Sequence, residues 1–292
     1  MAFHDPQVSS DRKRALGSRR NVVAACSGRN LTRAEEDKLE VSSDNKYVLR
    51  YWHKIVEAYS GCKLTRAEDK LVAISGLAKR VQSFLGDEYL AGLWEKALLY
   101  GLLWRAQWED LKEEYASFQA PTWSWASVDG FIFYDDLMIL WDDEEDLSIK
   151  IVTILASGVI SVAADVTGQI KVGFIRLSST LIAARIRGKQ SSLSPNFDCI
   201  LDLPVFRHGG YWYPLFHFET IERRAGIFVL PIWIVIIDGE GNRSLALKTV
   251  DPVNNIYKRI GCLFLRERGT RYDDIRWPDV VARFDKQTLT LF

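Results

Sequence analysis

The chain has no excess of charge, because 38 Lys and Arg balance 38 Asp and Glu across 292 residues. No global field therefore draws it to nucleic acid or to an anionic membrane, and contact with either would have to be local. Cysteine is scarce: the four residues Cys26, Cys62, Cys199 and Cys262 lie too far apart for a zinc or redox motif. They read as idle or buried thiols in a reducing compartment. No apolar run approaches the ~20 residues that a helix needs to cross a bilayer. The most hydrophobic stretch, Gly226 to Ile237, carries Pro231 in its middle and is expected to be a strand pair or one bent strand. P-loop, HExxH and G-x-S-x-G strings are absent. Gly239 and Gly241 begin a dinucleotide-like fingerprint, but Ser244 stands where its third glycine belongs and no helix pattern follows. The opening MAFHDPQVSS is polar and leads into DRKRALGSRR, so no secretory leader is read there and a cytoplasmic protein is expected.

What is present is a globular composition, 48% apolar and 26% charged, ample for a sizeable core. Residues 1–45 read as a weakly ordered segment. Its basic stretch, Arg12 to Arg20, is read as a solvated tail rather than a nuclear address. Within it Leu31 to Ser43 nearly copies Leu64 to Ser75, and two copies are too few for a solenoid. Residues 46–130 form a helical region. Tyr47, Val48, Tyr51, Trp52, Ile55, Val56 and Tyr59 make the broad stripe of an amphipathic helix. Thr65 and Glu68 have capping-box spacing for a second helix that faces inward with Leu71, Ile74, Ala78 and Val81. Gly86 ends that helix, and Asp87 is expected to start a third whose Leu90, Leu93, Trp94, Ala97 and Leu98 meet the core.

Residues 131–292 form a β-rich region. From Leu147 onward the apolar runs are short, β-branched and separated by Gly, Asn or Asp, with GEGNR at Gly239 to Arg243 placed as a hairpin turn. The fold class is accordingly α+β: an N-terminal three-helix cluster packed against a largely antiparallel β-rich C-terminal half, either a sandwich or an irregular barrel.

Residues of the kinds that bear chemistry are few and scattered. His208 and His217 share an aromatic segment with Tyr211, Trp212 and Tyr213, where a flat ligand could stack. The plainer reading is aromatic plugging of the β-core at a Gly-Gly turn. Asp135, Asp136 and the run Asp142 to Asp146 lack the alternating spacing and turn glycine of a calcium loop and read as a solvated acidic loop. No catalytic, cofactor-binding or metal-ligating residue is assigned. The structural and interaction candidates are Arg66, Asp69 and Lys70 at the second helix start, Trp94, and Trp123, Trp125 and Asp129 of the string APTWSWASVDG. The alternation of Trp123 and Trp125 predicts a strand with one buried face.

Three strings, LTRAEDKLVAISGLAKRVQ at Leu64 to Gln82, GDEYLAGLWEKALLYGLLW at Gly86 to Trp104 and APTWSWASVDG at Ala120 to Gly130, together resemble fungal heterokaryon-incompatibility (HET) domain proteins. The likeness is to the region C-terminal to the HET domain. It continues more loosely through DVTGQIKVGFIRLSSTL and VDPVNNIYKRIGCLFL. In that family a TIR-like HET module precedes these strings. Its tryptophan-rich and Ile-Asp/Cys-Ile-x-Gln motifs do not occur here, so no catalytic residue or cofactor carries over. The resemblance implies a non-catalytic scaffold or regulatory and interaction region in fungal nonself recognition and programmed cell death, truncated relative to the family, with a protein partner or a HET-type effector domain as its counterpart. An enzyme or small-ligand binder with a site near His208 to His217 is the alternative.

Overall fold

The computed structural model describes residues 45–62, 66–106, 118–134, 152–189, 196–201, 207–214, 227–236, 243–266 and 285–292, with the backbone alone for much of the later strands. The first helix, α1 (Asn45–Ser60), buries Val48, Leu49, Trp52 and Val56, the i, i+4, i+8 face that its stripe predicts. A 3-10 turn, Ala67–Asp69, leads into α2 (Lys70–Leu85), which buries Leu71, Ile74, Ala78 and Val81. Gly86 closes α2 in the left-handed conformation (φ 55°), its N–H bonding back to the Gln82 carbonyl, a cap that glycine adopts without steric cost. The capping box takes no part that can be seen. The helix starts at Lys70, Asp69 before it makes no side-chain cap bond, and Thr65 lies outside the described residues.

The third helix departs from expectation. Ala91 and Gly92 both have positive φ, 47° and 98°, and a right-handed helix cannot pass through such a pair. They turn a small hairpin instead, joining β1 (Tyr89–Leu90) to β2 (Leu93–Trp94) with Tyr89 opposite Trp94. The apolar spacing that resembles a helix stripe still serves burial, since Leu90, Leu93, Trp94, Ala97 and Leu98 are all enclosed. Helix reappears only as the single turn α3 (Leu98–Gly101).

Trp123 and Trp125 are not in a strand either. Pro121 opens a turn, and the Ser124 hydroxyl accepts from the Ala126 N–H to cap the 3-10 turn Trp125–Ser127. Residues 123–128 are all buried. Before and after this segment, β3 (Arg105–Ala106) pairs with β4 (Ile132–Phe133). The Ile132 N–H donates to Ser60 Oγ at 3.0 Å and the Tyr134 N–H to Glu57 Oε1 at 2.7 Å, which ties β4 to the end of α1.

Nine strands form the main sheet: β5 (Thr153–Ser161), β6 (Ile170–Thr180), β7 (Ile182–Lys189), β8 (Asn196–Leu201), β9 (Arg207–Pro214), β10 (Ile227–Ile236), β11 (Arg243–Asp251), β12 (Ile256–Arg266) and β13 (Lys286–Leu291). Six of them close a ring in the order β11-β10-β7-β8-β9-β12, because β12 also pairs with β11. Closure removes the open edges that a flat sheet of six would leave. A wing of β13, β6 and β5 continues from β12, and β13 pairs parallel with the start of β12, the single parallel pairing among the described residues. The class is α+β with an irregular barrel. Pro231 sits within one continuous strand, opposite Arg185; of the GEGNR string, residues 239–242 lie outside the described residues and Arg243 opens β11, which pairs antiparallel with β10. Among the described residues no helix is long and apolar enough to cross a membrane.

Of the cysteines, Cys262 is buried and is not in a disulfide. Cys62 is disulfide-bonded, which corrects the expectation of idle thiols and removes its support for a reducing compartment.

Candidate functional site

The sequence candidates converge on a buried framework between α1, the β1–β2 hairpin and the Trp123–Asp129 segment. Trp52, Trp94, Trp104, Trp123 and Trp125 are among the largest fully enclosed side chains. Each indole removes on the order of 200 Å² from water, roughly 5 kcal/mol of gross hydrophobic free energy before entropy is counted. A net hydrogen bond contributes about 1 kcal/mol. Burial thus supplies the energy, and the polar contacts set the geometry.

Those contacts meet at one carbonyl. The Gly92 oxygen accepts from Trp52 Nε1 and from Trp125 Nε1, each at 3.0 Å, while Ser124 Oγ donates to the neighbouring Ala91 oxygen at 2.6 Å. Residue 92 must be glycine twice over: its φ is 98°, and a Cβ there would lie 2.3 Å from Trp125 Nε1. Around this point Trp52, Tyr89 and Trp94 pack edge to face, with ring centroids 5.2 to 5.9 Å apart, the arrangement that aromatic quadrupoles favour.

Lys70 and Asp129, separated by most of the helical region in sequence, form an ion pair at 2.8 Å. Lys70 is nearly enclosed at 7% exposure and Asp129 keeps 26%; the ammonium also donates to the Val128 carbonyl. Tyr59 joins the two strings from α1. Its hydroxyl donates to the Lys70 carbonyl at 3.1 Å and its ring meets Trp125 edge-on at 6.1 Å. Burial, and secondarily the Asp69 charge, push that hydroxyl's pKa up to about 12. Arg66 is exposed and Asp69 half-buried, and neither joins the tryptophan framework.

The framework docks on the sheet through contacts that sequence reasoning missed. Trp104 Nε1 donates to the Trp123 carbonyl at 3.0 Å. Thr122 Oγ1 accepts from the Arg259 N–H on β12 at 3.0 Å and donates to the Phe292 carbonyl at 2.7 Å. On β6, a Cβ at Gly173 would come within 2.9 Å of both Pro121 and Trp123. A glycine inside an otherwise apolar strand is the visible signal of such a close approach. Arg259, wholly buried, lies over the Trp104 ring with its guanidinium carbon 3.9 Å from the centroid. Its only signal is a basic residue in step with Tyr257 on one face of an apolar strand.

His208, Tyr211, Trp212 and Tyr213 fall on β9, with Tyr211 opposite Phe264 and Tyr213 opposite Cys262 on β12. Gly209 and Gly210 are paired residues of that strand, so the expected Gly-Gly turn is not there. His217, the acidic residues from Asp135 to Asp146 and the basic N-terminal stretch lie outside the described residues. Among the described residues no cluster of three or more His, Cys, Asp or Glu is placed to hold a metal ion. The arrangement suits holding elements together rather than moving protons, since indoles carry no acid or base at neutral pH. Comparison with protein-family models, with curated proteins and with solved structures finds no match for this chain.

Proposed function

We propose that the chain is a non-catalytic scaffold or regulatory region of a heterokaryon-incompatibility-like protein, one that holds or restrains a TIR-like effector module in fungal nonself recognition and programmed cell death. Its site of action in this proposal is the cytoplasm. One observation carries the reading: the three strings that resemble the family are spent on mutual packing, with Lys70 on Asp129 and Trp125 on Gly92. Residues so enclosed support a framework role for these strings rather than a catalytic one.

Expression in a filamentous-fungal host tests it. The chain alone leaves cells alive, and it changes the killing produced by a co-expressed HET-type effector module; death from the chain alone overturns the proposal. The competing enzyme or ligand-binder is tested with the purified protein against nucleotides, sugars and divalent ions, because a ligand that binds only the folded state raises Tm. A saturable rise with any of them favours that alternative.

A further inference from the structure

β5 is the last strand of the wing. Among the described residues it pairs with β6 alone, so the N–H and C=O groups along its other edge meet no strand there. Proteins blunt such an edge with charge, proline, bulges or short length. β5 has few of these devices. It runs nine residues, Thr153–Ser161, without a charge or a proline, and the uncharged stretch continues to Ala164. One register shift with β6 bulges β5 at Leu155. The other places its extra residue, Lys171, on β6, which leaves residues 156–161 regular.

The two faces of β5 differ. Ser157 Oγ donates to Glu95 Oε1 at 3.4 Å, and Val159 packs against the core beside Gly173. By alternation Ala156, Gly158 and Ile160 look outward. There Phe174 lies over Gly158, where a Cβ would meet its ring at 3.2 Å. Of the eleven exposed large apolar residues among those described, Leu155, Ile160, Val162, Val166 and Phe174 fall on this hairpin. The open edge and the apolar patch therefore coincide.

Unpaired backbone groups call for an extended strand, and charge and area say which one. Like charges hold two copies of an edge apart, and β5 carries none. The exposed cations Lys171 and Arg176 stand on β6; in a β6-β5-β5-β6 order they lie three strand spacings apart, about 14 Å, beyond the ~8 Å screening length. The whole chain adds no repulsion either, with 38 cations against 38 anions. Nine residues make a strip about 30 Å long and about 10 Å deep. That is on the order of 300 Å² per copy, well under the roughly 800 Å² of a stable interface.

We propose that two copies of this chain pair antiparallel through β5, joining their wings into one six-stranded sheet as a weak, reversible dimer. Pairing uses up both edges, so assembly stops at two.

Sedimentation velocity of the purified full chain, from ~10 µM to ~1 mM, covers the range of weak self-association. Monomer gives way to dimer across it. A monomer throughout, or growth past the dimer, overturns the proposal. Ile160→Lys sets like charges close to the two-fold axis and weakens dimerisation about threefold or more, whereas Val253→Lys, on the exposed β11–β12 turn, leaves it unchanged. Hydrogen exchange of the wild type gives a readout independent of either variant: amides of residues 153–161 gain protection as concentration rises. A dimer whose β5 amides gain none, or one that Val253→Lys weakens as much as Ile160→Lys does, overturns the proposal.

Discussion

Trp52 and Trp125 share one acceptor: both indole N–H groups point at the Gly92 carbonyl oxygen, each from 3.0 Å. The hairpin residue that offers this carbonyl stands in a conformation L side chains avoid, and its missing side chain is the space the Trp125 ring edge occupies. Gly92→Ala is therefore expected to cost about 3–5 kcal/mol, combining left-handed strain with overpacking. Trp125→Phe, which leaves Trp52 on the carbonyl, is expected to cost about 2 kcal/mol. Denaturant unfolding followed by tryptophan emission orders the two. A Gly92→Ala midpoint equal to that of the wild type would show that Gly92 is replaceable.

A double-mutant cycle on Lys70→Met and Asp129→Asn measures the ion pair. Because Lys70 is enclosed and Asp129 is partly solvated, the coupling is expected at about 1–2 kcal/mol, between the ranges for surface and buried pairs. Coupling below about 0.3 kcal/mol, within the error of additivity, would mark the pair as incidental.

His53 gives the fold an acid limit. Burial lowers its pKa to about 3, against about 6.5 in the unfolded chain. Between those values the unfolded state binds the extra proton, so stability is full above pH ~6.5 and declines as pH falls toward ~3. His53→Phe, which preserves a flat ring against Tyr134, is expected to flatten Tm over that interval. An unchanged acid slope would remove His53 from the account.

Gly173→Ala tests how closely the Trp123 segment lies on the wing. The added methyl meets Pro121 and Trp123 at 2.9 Å, and overpacking of this kind costs about 1–3 kcal/mol. Thermal unfolding compared with Gly76→Ala is a fair control, since a Cβ at Gly76 meets nothing within 4 Å and helix propensity there favours alanine.

Both long helices are legible in the sequence because their apolar stripes are long, periodic and ended by a glycine. The strand-rich half is legible from its short β-branched runs. The β1–β2 hairpin is not, because Leu90, Leu93, Trp94 and Leu98 satisfy a helical spacing and only the Ala91-Gly92 pair, both at positive φ, says otherwise. The Trp123–Ser127 turn is hidden by the alternation of its tryptophans; Pro121 ahead of it and the capping hydroxyl of Ser124 were the signals available. Lys70 and Asp129 were both singled out as residues, but not as a pair, since their meeting depends on how the hairpin and the turn fold between them. Arg259 was missed altogether, because pattern reasoning places a lone arginine on the solvent face of its strand.

The last strand, β13, lies between β12 and β6, bonded to both, and the Phe292 N–H closes on the Tyr257 carbonyl at 3.0 Å. A chain made from its amino end must therefore hold its wing open until residues 286–291 emerge from the ribosome. Until that moment β6 and β12 each wait for a neighbour, exposed to chaperones and to mispairing.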